Sequence, residues 1–406
     1  MYLQNQAEAS TSSSRAATER LLADIRGLAP AIIAHVAEME SERRIPLDLV
    51  EQLKAIGALR IFVPRSHGGL GLDLPSALEV IGALSRIDGS IGWTAMIASG
   101  SSAITASLPR ETYERICGNG PMVIAGSSQP AGTAEASGTG WRVNGRWPFA
   151  SGCLHADWLV ALCVMTERGK PVPGPAGEDG PPLIRGFVLP ARDWRIEDTW
   201  HVAGLKGTGS NHIALEDAAV PAANFFDYPD ATPCLPGPLY KAVPQILPLL
   251  HGAFTVGMAE GALDDLIAHA NTGRRQFRAP RPMRESEFFQ GELGRVVADV
   301  RAARAFLRIQ AENHWKHALN GTLKDNSLLM QGTQAGIWLA TTCVRVADTC
   351  FALGGGSALY ETSPLQRRLR DLHVAAQHAA VQQRHYVDAG KLVLDRSDLS
   401  STCIMG

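Results

Sequence analysis

Two kinds of hydrophobic pattern divide this chain, and they are segregated rather than interleaved. From Arg15 to about Leu108 apolar residues return at three and four positions, as in LLADIRGLAPAIIAHVAEME, and again in PLDLVEQLKAIGALR, which opens at Pro46. From Pro121 to about Asp227 the texture changes to short β-like runs (MVIAGSS, WRVNGRWPF, WLVALCVM, IRGFVLP, HIALEDAAVP) separated by Gly, Pro, Asn and Asp. Pro229, Pro233, Pro236, Pro238 and Pro244 then mark a linker, and four long helical patterns follow at about 244–272, 286–319, 325–353 and 362–395. Strands gathered in the middle of a chain do not build an alternating parallel sheet. The expected fold class is therefore α+β: an N-terminal helical domain over 1–120, a central β-barrel-like domain over 121–230, and a C-terminal four-helix bundle over 231–406.

Charge and cysteine usage narrow the class. The 406 residues carry 38 basic against 40 acidic side chains, which leaves no electrostatic footprint for nucleic acid. No apolar stretch reads as a membrane span, and MYLQNQAEASTSSSRAATER lacks the apolar centre of a secretory signal. It reads as a polar tail running into a helix cap. The seven cysteines are scattered and form no CxxC pair, which predicts reduced thiols in the cytoplasm. His314 and His317 stand without the carboxylates or thiols that would complete a metal site, so no metal is assigned. The segment GKPVPGPAGEDGPP (169–182) has the composition of a flexible surface excursion.

The stretch richest in chemistry is GWRVNGRWPFASGCLHADW, residues 140–158. A strand-like run ends in Phe149-Ala150-Ser151-Gly152, where small residues let a flat ligand approach the backbone and Ser151 offers hydrogen bonds. This stretch resembles the flavin-facing strand of the acyl-CoA dehydrogenase fold. More narrowly, it is similar to the branch of two-component flavin monooxygenases that includes the oxygenase component of 4-hydroxyphenylacetate hydroxylase and dibenzothiophene monooxygenase. Further motifs carry the resemblance in the same chain order: GALRIFVPRSHGGLGLDL, AGLKGTGSNHIALEDAAVP, TGRRQFRAP, and GGGSALYETSPLQRRLRDLHVAAQH. It spans about residues 20 to 395. The chain has no GxGxxG and no GxxxxGK, so the resemblance implies electrons delivered by a separate flavin reductase.

Two activities live on that fold. A dehydrogenase needs a carboxylate base, in many members the glutamate two residues before the proline that follows the Gly-Gly turn. Counting back from Pro364, that position is Thr362, and Glu361 is one residue off, about 100° around a helix. The monooxygenase branch instead carries a histidine after the Arg-Asp pair, and His378 is the matching position after Arg370 and Asp371. The resemblance thus implies that reduced FAD or FMN and O2 form a C4a-hydroperoxyflavin that oxygenates a small aromatic or heteroaromatic substrate. His378 would manage the hydroperoxide proton and Ser151 would hold the flavin N5 region. Acyl-thioester oxidation with Glu361 as base is the alternative, and a non-catalytic scaffold the third.

The remaining site residues also follow from the resemblance. Phe149, Ser151 and Gly152 would pack on the isoalloxazine. Arg274 and Phe277 would reach the pyrophosphate side of a neighbouring subunit's flavin, which Gly354, Gly355 and Gly356 would approach by backbone, in a homotetramer. Trp200 reads as packing or stacking nearby. Trp93, Ser101 and His155 are assigned to the substrate pocket. Phenol-hydroxylating relatives carry a histidine near the place of Ser101; here Ser99, Gly100, Ser101 and Ser102 predict a roomier pocket for a fused-ring, sulfur or nitrogen compound.

Overall fold

The computed structural model describes residues 2–118, 120–275 and 278–394. The chain opens with α1 (Tyr2–Ala34), α2 (Val36–Glu42), α3 (Leu47–Ala55), α4 (Leu74–Ile87), α5 (Gly89–Ile104) and α6 (Arg110–Cys117). Helix α1 starts at Tyr2, so the run expected to be a polar tail is helical. Helices α4 and α5 start on aspartate caps: Asp73 accepts from Ser76 N, and Asp88 accepts from Ser90 N and Ile91 N. Their shared boundary at Asp88 forces a sharp change of direction, which lays α5 back against α4.

Ten strands follow: β1 (Ile124–Ser137), β2 (Gly140–Trp147), β3 (Trp158–Glu167), β4 (Lys170–Pro171), β5 (Pro173–Gly174), β6 (Gly177–Pro182), β7 (Ile184–Pro190), β8 (Arg195–Glu197), β9 (His212–Pro221) and β10 (Phe225–Asp227). The main sheet runs β10-β7-β3-β1-β2-β9-β8, with β4 added on β3. Only the β1–β3 pair in it is parallel. The 169–182 excursion is ordered as the β5–β6 hairpin. Trp147 is wholly buried at the end of β2, packed edge-on against Phe187 and Trp194, and its Nε1 donates to Leu162 O at 2.6 Å. That anchor fixes where the chain leaves the sheet as residues 148–152.

The C-terminal part comprises α7 (Val243–Asn271), α8 (Glu287–Leu319), α9 (Asn326–Gly354), α10 (Pro364–Ala375) and α11 (Tyr386–Val393). Helix α7 is its axis, packed against α4, α5, α8, α9 and α10. Its 246–271 span is long and apolar enough to cross a bilayer, as is 326–359, against the expectation that no stretch would qualify. The first is 78% buried inside the protein, which marks it as a core helix. The pattern expected to give one helix over 362–395 breaks at Ala375. His378 then caps a short 3-10 turn with its own side chain, accepting from Ala380 N, a local bond that competes with helix continuation. The described cysteines, Cys117, Cys153, Cys163, Cys234, Cys343 and Cys350, are free thiols.

Helices α4 and α7 touch backbone to backbone. A Cβ added at Gly257 would lie 2.2 Å from the carbonyl oxygen of Gly82, so no side chain fits without parting the helices. Gly257→Ala is expected to cost about 1–3 kcal/mol and to lower the thermal midpoint, readable by circular dichroism. Gly273→Ala has open space but a φ of +77°, so it tests backbone strain alone.

Candidate active site

Helix α5 forms one wall. Nearly all of it is buried: from Gly89 to Ala103 only Ile97 and Ser101 keep appreciable surface. With Trp93 they stand at i, i+4 and i+8, one stripe of one face. A narrow accessible stripe on a helix otherwise buried on every side lines a recess. Ser99 and Ser102 turn their hydroxyls back onto Ala95 O and Ala98 O, and Gly100 faces Leu247 of α7. Of the four small residues expected to widen the pocket, Ser101 alone opens into the recess.

Opposite α5 lie the 148–152 turn and the loop before β9. Phe149 has a φ of +61°, a conformation that a bulky side chain adopts only under constraint. The constraint is visible on both sides: Ala150 N donates to Asn211 O at 3.0 Å and Gly152 N to Thr208 O at 2.8 Å. Phe149 is left 56% exposed, its ring edge-on to Trp200 and His212. Gly152 has a φ of +77° and sits against Thr94. Ser151 is buried; Trp93 Nε1 donates to its Oγ at 3.0 Å, and its Oγ lies 2.7 Å from Ser210 Oγ. Ser151 N is already spent on Phe149 O, so only the hydroxyl faces a ligand.

Two histidines complete the recess. The Trp93 ring meets His378 edge-on at 5.5 Å and His251 edge-on at 5.6 Å, and the two imidazoles lie tilted at 5.6 Å from each other. His378 Nδ1 accepts from Ala380 N at 3.3 Å, so the neutral ring carries its proton on Nε2. His251 Nε2 lies 3.0 Å from Ala375 O and donates to it, leaving Nδ1 a buried acceptor with no partner among the described residues. Burial pushes the His378 pKa down to about 4, although the side chain keeps some accessible surface. Burial, with His378 nearby, pushes His251 down to about 3. Both rings are neutral at ordinary pH, and the neutral His378 Nε2–H is a hydrogen-bond donor.

The loop from Asp198 to Asn211 is tied down from two sides. Arg43 pairs with Asp198 at the α2 end, and Lys206 lies 3.6 Å from Glu40. Arg370 of α10 bonds Glu40 at 2.8 Å and the Ala203 carbonyl. Asp371 accepts from Leu205 N at 2.6 Å. Burial, with Asp88 adding its charge, pushes the Asp371 carboxyl up to about 7.

The other expected site residues fall elsewhere. His155 is buried, and its Nε2 accepts from Ile45 N at 3.2 Å, which ties the β domain to the turn before α3 rather than lining the recess. Arg274 is exposed after α7; its charge reaches His269, whose Nε2 lies 2.9 Å from Ser357 Oγ in the turn following Gly354, Gly355 and Gly356. Phe277 lies outside the described residues. Glu361 is exposed, and its carbonyl rather than its carboxylate is engaged, by Gln366. Sequence reasoning missed His251, Ser210 and Thr208. A lone histidine in an apolar helix carries no signal, but Ser210 and Thr208 stand in AGLKGTGSNHIALEDAAVP, one of the motifs that carry the resemblance.

The recess suits a flat ring with a polar edge. Phe149 is bared beside it, Gly152 presents backbone where a side chain would meet Thr94 at 3.3 Å, and Thr94 Oγ1 and His251 Nδ1 are buried polar atoms without partners among the described residues. Two helical layers packed directly on each other, with a sheet domain set against α5, define a flavoprotein of the acyl-CoA dehydrogenase fold; residues 16–111 and 249–383 match the families described as acyl-CoA dehydrogenase N-terminal and C-terminal domains. The chain is 32% identical over 403 residues to indole-3-acetate monooxygenase of Pseudomonas putida, covering 97% of each chain. It is 30% identical over 385 residues to the oxygenase component of an FADH2-dependent resorcinol hydroxylase from Rhizobium sp., covering 89% of this chain and 90% of that one. Its fold superposes on XiaF from Streptomyces sp., solved with FADH2 and glycerol, with a TM-score of 0.86 and 25% identity over 95% of this chain and 97% of that one. The chain therefore belongs to the oxygenase components of flavin-dependent monooxygenases, whose cofactor is reduced flavin.

The buried histidines make stability depend on pH. An unfolded histidine titrates near ~6.5, whereas His155 and His378 are held at about 4 and His251 at about 3. Between those values the unfolded chain binds more protons, so stability falls as pH drops below the unfolded value. Asp371, raised to about 7, acts in the opposite sense and loses its contribution as pH rises. In His155→Gln the unfolding free energy from urea titrations should fall less steeply from pH 6.5 to 5 than in the parent, by at most about 1.4 kcal/mol per pH unit. The Asp371 contribution cancels in that comparison.

Proposed function

We propose that the chain oxygenates a small fused-ring aromatic or heteroaromatic compound, of the size of a substituted indole, with reduced FAD or FMN from a separate reductase. The observation that carries this reading is the Ile97–Ser101 stripe beside Trp93, His251 and His378. It is apolar and aromatic with few polar groups, the lining that a neutral ring compound takes. Ile97, Leu247 and Trp93 would hold the ring, and Ser101 would give it one hydrogen bond. The relatives named for indole-3-acetate and for resorcinol support an aromatic substrate.

Bound reduced flavin supplies the electrons that activate O2. Phe149 and Gly152 would seat its ring, and Ser151 Oγ would face its N5. His378 Nε2–H would give a hydrogen bond at the oxygen-bearing edge of the flavin and hold a proton in place there, beside the Trp93 ring. Glu361, exposed, lacks the enclosure that an α-proton base needs. The relatives named as oxygenase components support a partner reductase. Exposed Phe288, Ile309, Trp338, Leu359 and Tyr360 on the C-terminal helices and their connection support docking of further copies as a homotetramer. Free thiols support a reducing, cytoplasmic setting.

Stopped-flow and coupled assays test this. Photoreduced flavin and O2 should sustain turnover of an indole-class substrate without any reductase. His378→Ala should lower product formation by about 10²-fold or more and send the consumed O2 to hydrogen peroxide. Ser101→Phe should block fused-ring substrates while leaving flavin binding intact. Oxidation of acyl-CoA thioesters, with loss in Glu361→Gln, would replace this reading by the dehydrogenase one.

A further inference from the structure

Ser151 is the head of a hydrogen-bond chain that continues away from the recess. Trp93 Nε1–H can only donate, and it reaches Ser151 Oγ at 3.0 Å. Ser151 Oγ lies 2.7 Å from Ser210 Oγ, and Ser210 Oγ lies 2.7 Å from Thr208 Oγ1. Thr208 Oγ1 donates to the Leu205 carbonyl at 2.8 Å, and a carbonyl can only accept. With a fixed donor at one end and a fixed acceptor at the other, every hydroxyl points the same way: Trp93 to Ser151 to Ser210 to Thr208 to Leu205 O. Ser151, Ser210 and Thr208 are all buried, so water does not scramble the order. The reversed order would turn Thr208 away from the carbonyl and leave the Ser151 proton unbonded in the recess. It makes one internal hydrogen bond fewer.

We infer that Trp93, Ser210 and Thr208 are positioning residues that hold the Ser151 hydroxyl as an acceptor only, so that the site selects reduced flavin over oxidised flavin. Ser151 spends its proton on Ser210, and Trp93 fills one of its lone pairs. What remains toward the recess is one lone pair and no donor. Reduced flavin carries a hydrogen on N5 and can donate to that lone pair. Oxidised N5 is itself an acceptor, and the two lone pairs would oppose each other. This deepens the reading above and rests on its placement of Ser151 against N5.

The test is flavin affinity in both redox states, measured by aerobic titration and by anaerobic titration with photoreduced flavin. The parent should bind the reduced form more tightly. In Ser210→Ala the Ser151 proton is released toward the recess. Oxidised flavin should then bind more tightly and the preference for the reduced form should fall by about tenfold, equivalent to lowering the bound two-electron potential by about 30 mV. Ser210→Thr, which keeps a hydroxyl, should restore the parent preference. Thr208→Val, which removes the last hydroxyl with little change of volume, should move it in the direction of Ser210→Ala. An unchanged preference in Ser210→Ala and Thr208→Val, with both affinities altered in Ser151→Ala, overturns the inference while leaving Ser151 against N5. Unchanged affinities in Ser151→Ala overturn that placement, and the inference with it.

Discussion

The hydrogen bond from Leu205 N to the buried Asp371 carboxylate ties the three parts of this protein together. Leu205 belongs to the loop entering β9, Asp371 to helix α10 of the bundle, and the carboxylate sits beside the N-terminus of α5, where a Cβ on Gly89 would lie 2.9 Å from its second oxygen. Leu205 has a φ of +53° and Gly209 one of +51°, so the loop is held in a tight shape that its sequence alone would not keep. A buried carboxylate is costly unless well bonded, and its raised pKa reflects that cost. In return the bond sets the height of Leu205, hence of the carbonyl that receives Thr208. Ser210 and Ser151 then follow along the hydroxyl chain.

From this constraint the two sides of the cleft acquire different chemistry. The loop side presents a hydroxyl stripped of its free proton. The α10 side presents an imidazole whose proton faces away from its backbone bond, because Ala380 N–H occupies His378 Nδ1. One side accepts and the other donates. Trp93 stands between them, with its indole N–H on Ser151 and its ring edge-on to both histidines, so a single residue of α5 registers the two sides against each other.

The layering of the fold is legible in the sequence alone. The segregation of helical and strand patterns gave the layering, and Ser151 and His378 stood out because they sit at fixed places in motifs with a chemical purpose. Orientation was not legible. Four consecutive small residues, Ser99 to Ser102, look alike in sequence, yet two bond back to their own helix and one faces α7. The helix expected through residue 395 stops at Ala375 because a histidine side chain competes for a backbone N–H, a contest that periodicity does not register. His251 is buried in helix α7, where a histidine reads as packing until its ring is found 5.6 Å from His378.

The pairing of His251 with His378 bears on how the cleft keeps its donor neutral. Burial lowers both rings, and His378 lowers His251 further, with no carboxylate bonded to either ring among the described residues. The Nδ1 of His251, on a ring 5.6 Å from the donor ring, is a buried acceptor with no partner among the described residues. A substrate bearing an N–H or O–H would satisfy it on entering, and the cleft would bind such a ring more tightly than its methylated analogue. Measuring the affinity of an indole against its N-methyl counterpart, in the parent and in His251→Phe, separates the two cases: the preference should be present in the first and absent in the second. Equal preference in both would assign the N–H to another partner, with Ser101 the next acceptor along the same wall.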